Sequence, residues 1–329
     1  MTSPRRLFID PFAPGWYHCM SRCVRRAFLC GVDRATGQSF EHRRRWLEDR
    51  LHELADCFAV GLYAYAVMSN HVHVVLRADP LAAHAWPAQQ VAERWVRLFP
   101  VRVQGQIDLD ACLARAGQLA AQPERIAVLR ARLASVSWFM RCLNEPIARR
   151  ANREDDCTGR FWEGRFKCQA LLDDAAVMAC MACVDLHLVR AGMAAELSGS
   201  VHTLAHNRLQ ADPSPPADVE LAPVRGLADS GGLPCSLKAC LGLLDWTGRQ
   251  LRPGHRGAIG AEHPGVLAAL ECPADTWAVR VAGIERDHWR AIGAVDALLA
   301  KARAMGQRWL KGAGRVARLA PLRRAPAET

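Results

Sequence analysis

Two histidines separated by a single valine are the residues whose type and spacing point most directly to chemistry. His71 and His73 lie in the stretch Tyr65–Arg77. In a β-strand alternate side chains share a face, so both imidazoles would point one way and Val72 the other. Two imidazoles on a rigid strand can hold a divalent metal ion. The alternative is two polar positions on the solvated face of an amphipathic strand.

The charge balance predicts an anionic partner. The 329 residues include 43 Lys and Arg against 33 Asp and Glu, a net charge of +10, and only four of the basic residues are lysines. Arginine suits bidentate contacts with phosphate and stacking on bases, so nucleic acid is the first expectation. A genome rich in G and C would also favour arginine codons, which explains part of the bias.

The sequence predicts neither a signal peptide nor a membrane span. Residues 1–14 have no apolar core, and no stretch approaches the length of a bilayer crossing. The thirteen cysteines are scattered and are interpreted as buried thiols in a reducing cytoplasm. Cys180 and Cys183 have CxxC spacing but fall within a predicted helix, which argues against a redox role. We expect a cytoplasmic, nucleoid-associated protein with no membrane partner.

Hydrophobic periodicity predicts an α+β fold. The predicted order is strand, helix, strand, strand, helix, strand, helix, at residues 15–26, 40–58, 59–67, 71–77, 135–153, 166–172 and 173–191. The helix at 135–153 should be interrupted near Pro146. Asp173 should cap the last helix, with Asp174 also favourable at its N-terminus. This order is the split βαβ, or ferredoxin-like, arrangement, an antiparallel sheet with helices on one face and a second face open to a ligand.

Three further regions surround this predicted core. Residues 79–134 are helical in pattern but divided by prolines, and are predicted to be a helical insertion. A proline-rich polar stretch predicts a linker at 206–235. Residues 236–329 are predicted to form a mostly helical extension with a basic end. The predicted domain is therefore residues 1–205, followed by the linker and the extension.

Basic and aromatic residues alternate between glycines in Gly159–Lys167. Such a composition can clamp a phosphate backbone and stack a base, which is the interpretation that the overall charge favours. The alternative is an ordinary aromatic loop that leads into a strand.

Three segments, in this order, resemble a known family. They are Asn70–His73, Gly159–Lys167 and Asp185–Gly192. Together they resemble the single-tyrosine HUH transposases, particularly the REP-associated tyrosine transposase branch. The resemblance covers about Gly15–Leu204 and implies an HUH endonuclease core with a ferredoxin-like fold.

The resemblance also implies a metal-dependent reaction on DNA. In the family two histidines, here His71 and His73, bind Mg²⁺ or Mn²⁺, and a tyrosine attacks a phosphate of single-stranded, hairpin-forming DNA. The result is nicking and strand transfer, the chemistry of DNA transposition and recombination. Related transposases act as dimers or monomers, so a homodimer is one of two expected states. The candidate DNA contacts are Arg22, Arg25, Arg150, Arg160, Arg165, Lys167 and Arg190.

The last predicted helix departs from the family pattern at two positions. Cys183 stands at the catalytic tyrosine position, and His187 replaces an asparagine one turn later on the same helix face. His187 would complete a metal-binding triad and would admit Zn²⁺ or Co²⁺ as well as Mn²⁺; an incidental surface histidine is the alternative. The three tyrosines, Tyr17, Tyr63 and Tyr65, all precede the histidine pair. Tyr63 and Tyr65 are predicted to share one face of the second strand as packing residues.

Two functions follow from these patterns, and enzymatic activity is the point on which they differ. The first is a transposase-like protein that binds single-stranded or hairpin DNA, with nicking impaired because Cys183 replaces the tyrosine and remains a neutral thiol. The second is a domesticated DNA-binding protein without catalysis. A histidine-triad nucleotide hydrolase would need a third histidine where this chain has Val75, and is discounted.

Overall fold

A six-stranded, mostly antiparallel sheet forms the centre of the computed structural model, with helices on both faces, so the fold is α+β. The model describes residues 5–24, 28–33, 35–187, 203, 208, 219–227, 233, 235–251, 265–286, 290–311 and 313–314. The strands are β1 (Gly15–Arg22), β2 (Val60–Val67), β3 (His71–Ala78), β4 (Arg102–Val103), β5 (Gln106–Ile107), β6 (Lys167–Leu171), β7 (Arg225–Gly226) and β8 (Ala291–Ile292). Their order is β7-β2-β3-β1-β6-β8, with only β8 parallel to its neighbour; β4 and β5 form a separate pair.

The helices divide between the two faces of the sheet. They are α1 (His42–Cys57), α2 (Pro80–Ala85), α3 (Ala88–Leu98), α4 (Leu109–Ala120), α5 (Pro123–Leu133), α6 (Val136–Glu154), α7 (Asp174–Asp185), α8 (Leu237–Gln250), α9 (Val266–Ala269), α10 (Ala274–Arg286) and α11 (Val295–Ala304). Helices α1 and α6 pack together on one face, and α7 lies on the other. Among the described residues, we find no helix with the length and apolar character that a membrane crossing requires.

Strand β3 follows the alternation that its sequence predicts. Val72, Val74 and Leu76 are fully buried on the side of α1 and α6. His71 and His73 point to the opposite face, because successive side chains of a strand alternate. The apolar half of the strand therefore anchors the histidines without contributing to their chemistry.

The second face of the sheet is not open, which corrects the expectation from sequence. Every residue of α7 after Asp174 is buried, as expected of a helix that is apolar all round. Helices α8 and α10 pack on the outer side of α7, where a Cβ at Gly248 would lie 3.1 Å from Leu186. The C-terminal helices therefore bury α7 between themselves and the sheet.

Helix α6 continues through Pro146, contrary to the predicted interruption. A proline inside a helix removes the N–H that would bond to the carbonyl four residues earlier, here that of Cys142. The Nε–H of Arg50 on α1 donates to this carbonyl at 3.1 Å. The side chain of a neighbouring helix thus replaces the missing backbone donor.

The predicted helical insertion contains four helices, α2 to α5, and the β4–β5 hairpin. Two of its prolines begin helices, because Pro80 and Pro123 occupy first-turn positions where no N–H is needed. The Asp79 side chain also caps α2 through the N–H groups of Leu81 and Ala82.

Strand β7 lies within the segment predicted as a linker and pairs with the edge of β2. Gly226 has a φ of 95°, and a Cβ at this position would lie 2.1 Å from the carbonyl oxygen of Val60. Only glycine allows the backbone to approach so closely with a positive φ.

Asp173 joins the start of α7 to the start of α11. Its Oδ1 accepts the N–H of Ala176 at 2.7 Å, which is the predicted N-cap, and its Oδ2 accepts the N–H of Ala294 at 2.5 Å. Asp174 lies in the first turn of α7, as predicted, but desolvation and the neighbouring Asp173 raise the pKa of its carboxyl. A raised pKa means that the charged carboxylate is less stable in the folded state.

Replacing Asp173 with alanine should lower the free energy of unfolding by about 2–3 kcal/mol, because two backbone donors lose their acceptor. Asp174→Ala, one residue later, should change it by less than about 0.5 kcal/mol. Chemical denaturation of both variants checks this. Equal losses in the two variants would show that the double cap contributes nothing.

Candidate metal centre

Three histidines converge on one face of the sheet. One ligand nitrogen from each of His71, His73 and His187 lies within 4.8 Å of the other two. The ring centroids are 4.8 Å apart for His71 and His73, 4.9 Å for His73 and His187, and 5.1 Å for His71 and His187. His73 is 1% exposed and His187 is 9% exposed. Two of the three rings are therefore largely removed from water, whereas His71 is half-buried.

Two elements bring these side chains together. His71 and His73 begin β3, directly after the turn that closes the β2–β3 hairpin. His187 follows the end of α7 by two residues. Because α7 crosses the sheet face that carries the histidines, its C-terminal end delivers His187 to them.

Hydrogen bonds hold the far sides of the first two rings. The Nδ1 of His71 lies 2.6 Å from Asn70 Oδ1. The Nδ1 of His73 lies 2.9 Å from His18 Nε2, and His18 Nδ1 lies 2.7 Å from Gln169 Oε1. These contacts leave the Nε2 atoms of His71 and His73 on the side of the triad.

Sequence reasoning did not identify His18 or Gln169 as site residues. His18 is directly opposite Gln169 in the β1–β6 pair and two residues along β1 from Met20, the partner of His73. Alternation along β1 would place His18 on a fixed face, but only the strand order shows that this is the face of His73. The strand order β3-β1-β6 is therefore what places His18 between His73 and Gln169.

The donor set suits a divalent metal. Around a tetrahedral ion with Zn–N bonds of about 2.1 Å, ligand nitrogens lie about 3.4 Å apart. The nitrogens here, all within 4.8 Å of one another, need only small ring rotations to reach that spacing. Hydrogen bonds to the outer ring nitrogens are the usual support of metal-binding histidines. His187 thus lies with His71 and His73 and is not an incidental surface residue.

Cys183 is fully buried within α7. It lies one turn before His187, in the part of the helix enclosed by the sheet and the C-terminal helices. In this conformation its thiol is not exposed to a phosphate in solvent.

The three tyrosines are packing residues. Tyr17 is 3% exposed, and its burial raises the pKa of the phenol to about 12. Tyr63 packs edge-on against Trp16 at 4.4 Å, whereas Tyr65 turns towards Glu48 on α1. The prediction that Tyr63 and Tyr65 share a face is wrong, because a β-bulge between Leu62 and Ala64 inserts an extra residue.

Two of the candidate DNA contacts lie beside the histidines. Arg22 is opposite His71 in the β1–β3 pair, and Lys167 is opposite Met20, which is itself opposite His73. Residues directly opposite in an antiparallel pair share a face. Both basic side chains are exposed, so they add positive charge to the face that carries the triad.

The other candidate contacts are distributed differently. Arg160 and Arg165 are exposed in the loop before β6. Arg150 is exposed on α6, on the opposite side of the sheet, and covers the ring of Trp46 at 3.7 Å. The remaining two, Arg25 and Arg190, lie outside the described residues.

The aromatic residues of Gly159–Lys167 are turned inward, so the expectation that they stack a base is wrong for two of them. Phe161 is 3% exposed and Phe166 is 8% exposed. The indole N–H of Trp162 donates to the carbonyl of Asn144 at 2.9 Å. The arginines of this segment remain exposed because the aromatic side chains occupy the inner positions.

The cysteines match the prediction of buried thiols. Eleven of the thirteen are buried, all thirteen belong to the described residues, and none forms a disulfide. Burial raises the pKa of Cys30 to about 12 and holds that of Cys19 well above its usual value. Such thiols stay neutral at physiological pH.

Comparisons with known proteins find one distant similarity. No family model matches the sequence, and no curated protein matches it significantly. The chain is similar in structure to a REP-associated tyrosine transposase bound to a REP hairpin, with a TM-score of 0.34 and 12% identity over 66% of this chain and 89% of that chain. A TM-score this low carries no argument about chemistry. What the structure itself shows is a histidine triad that could hold a metal.

Proposed function

We propose that this protein binds single-stranded or hairpin DNA at a metal centre made by His71, His73 and His187. The observation that carries the proposal is the convergence of the three imidazoles on a sheet face that also carries Arg22 and Lys167. A site that combines a divalent cation with exposed cationic side chains suits a phosphodiester.

The chain's own groups suit this role. The three imidazoles would hold the ion, and three nitrogen ligands favour Zn²⁺ or Co²⁺ over Mg²⁺, whereas Mn²⁺ is intermediate. A bound ion would neutralise a phosphate and polarise its P–O bonds. Arg22 and Lys167 would hold the flanking phosphates of the strand.

We infer that strand transfer through a covalent protein–DNA link is lost. Cys183 and the three tyrosines are all buried, so in this conformation none of these four side chains is exposed to DNA at the triad. This burial favours the second candidate function, a domesticated DNA-binding protein derived from a transposase.

We extend the proposal to the architecture. Strands β6, β1, β3 and β2, with α1 and α6, would be the ferredoxin-like HUH core. The domain at 1–205, the linker at 206–235 and the basic extension at 236–329 remain the proposed division, and a homodimer remains one of two proposed states.

A DNA-binding assay tests this function. The probes are a labelled single-stranded hairpin and a duplex of the same composition, each with Mn²⁺, Co²⁺ or no metal. We expect preferential hairpin binding that is strengthened by metal, and no covalent adduct on a denaturing protein gel. An adduct would contradict the loss of the nucleophile, and equal binding of hairpin and duplex would contradict the proposed substrate.

The basic residues beside the triad provide a sharper test. Arg22→Ala or Lys167→Ala should each weaken hairpin binding and reduce the slope of log affinity against log salt by about 1, because one phosphate contact is lost. Arg45→Ala is the matched control, since Arg45 is 83% exposed on α1, across the sheet from the triad. If all three variants bind alike, the DNA does not lie on the histidine face.

A further inference from the structure

The side chain of His73 is connected through His18 to Gln169 by two short contacts. His73 Nδ1 lies 2.9 Å from His18 Nε2, and His18 Nδ1 lies 2.7 Å from Gln169 Oε1. The three side chains are 1%, 2% and 8% exposed. They come from three adjacent strands, β3, β1 and β6, so the chain of contacts crosses the centre of the sheet.

The amide of Gln169 sets the direction of the hydrogen bonds. Its Nε2 donates to the carbonyl of Ile284 at 3.5 Å, which places Oε1 towards His18. An amide oxygen only accepts, so His18 must donate from Nδ1. A neutral imidazole with its proton on Nδ1 accepts at Nε2, and this atom faces His73.

The same logic then fixes the ring of His73. Because His18 Nε2 accepts, His73 donates from Nδ1 and keeps its lone pair on Nε2. A lone pair at Nε2 is what a metal ion on the side of the triad needs. His71 has an equivalent arrangement with one partner instead of two, because Asn70 Oδ1 lies 2.6 Å from its Nδ1.

We propose that His18 and Gln169 are positioning residues that hold the His73 imidazole in the tautomer and orientation that bind a transition-metal ion. This inference rests on the proposed metal centre. The His18 and His73 rings are nearly parallel, with an interplanar angle of 11° and centroids 5.1 Å apart, an alignment that directs the two ring nitrogens at each other. Mutation of the residues that hydrogen-bond to metal-binding histidines typically lowers metal affinity ten- to a hundredfold.

Co²⁺ binding by the full chain, followed by visible absorption, tests the proposal. His18→Phe keeps a ring but removes the acceptor, and Gln169→Leu removes the acceptor at the far end; both should weaken Co²⁺ binding about ten- to a hundredfold. Gln169→Glu keeps an oxygen acceptor and should bind within about threefold of wild type. Wild-type affinity in both His18→Phe and Gln169→Leu would overturn the proposal.

Ser21→Ala is the matched control for the strand. Ser21 is buried on the opposite face of β1, where its Oγ accepts from Asn144 at 2.7 Å. Its loss should leave Co²⁺ affinity unchanged. Circular dichroism during thermal unfolding shows whether each variant remains folded. The difference in Co²⁺ affinity between Gln169→Leu and Gln169→Glu isolates the effect of the oxygen acceptor at this position.

A second measurement separates this inference from the metal centre itself. In the metal-free protein with ¹⁵N-labelled histidine, NMR should show the His73 proton on Nδ1 in wild type and a mixture of tautomers in His18→Phe. If the His73 proton of the wild-type protein is on Nε2, the proposed hydrogen-bond chain from Gln169 through His18 to His73 is wrong, whatever the metal affinity. If the tautomer is as proposed but Co²⁺ does not bind, the hydrogen-bond chain is confirmed and the proposed metal centre is wrong.

Discussion

Alanine in place of His73 is expected to lower the affinity of the protein for Co²⁺ or Zn²⁺ by at least about a hundredfold. His73 is the most deeply buried of the three histidines, at 1% exposure, and its ring lies within 5 Å of both others. Removing it leaves His71 and His187 with no third nitrogen between them. We expect one ion per chain in wild type and none at the same concentration in His73→Ala.

Unfolding experiments measure the same loss independently. Metal at a hundred times its dissociation constant should raise the free energy of unfolding by about 2.7 kcal/mol, because it binds the folded chain. His73→Ala should lose this gain, and a chelator should remove it from wild type. His84→Ala is the control, since His84 is exposed on α2. A gain that survives in His73→Ala would place the metal elsewhere.

Replacing Arg43 with alanine should lower the free energy of unfolding by about 2–4 kcal/mol. Arg43 is 1% exposed and lies in the first turn of α1, where its side chain contacts the end of α6. Its Nε donates to Glu154 at 2.8 Å, its Nη1 donates to the carbonyl of Phe28 at 2.8 Å, and its Nη2 pairs with Asp155. Removing the cation leaves two partly buried carboxylates without it. Their exposure, 30% and 23%, keeps the expected cost below that of a fully buried pair.

Arg45→Ala is the control for this prediction. Arg45 lies two residues later on α1 and is 83% exposed, 3.7 Å from Asp49. The change in helix propensity is the same, so the difference between the variants reports the buried contacts. Arg45→Ala should cost no more than about 0.5 kcal/mol. If urea denaturation gives the two variants equal stability, the Arg43 contacts contribute nothing net.

Sequence reasoning was most successful where a pattern acts locally. The alternation of His71, Val72 and His73 predicted which side chains share a face, and β3 follows it. The cap at Asp173 was likewise readable, because it involves an N–H only three residues away. Pro146 was misjudged because its effect depends on Arg50, which is distant in sequence and supplies the substitute donor. Tyr63 was misplaced because a bulge changes the alternation without a clear sequence signal.

The sequence by itself determined the histidine pair, its strand and the absence of a tyrosine after it, because these depend on residue identity and local periodicity. Only the tertiary structure decided that His187 joins the pair, since this requires α7 to cross one particular face of the sheet. It also decided that Cys183 is enclosed, because helices from the far end of the chain cover α7. The contact from Gln169 through His18 to His73 depends on strand order, which joins residues 55 to 151 positions apart.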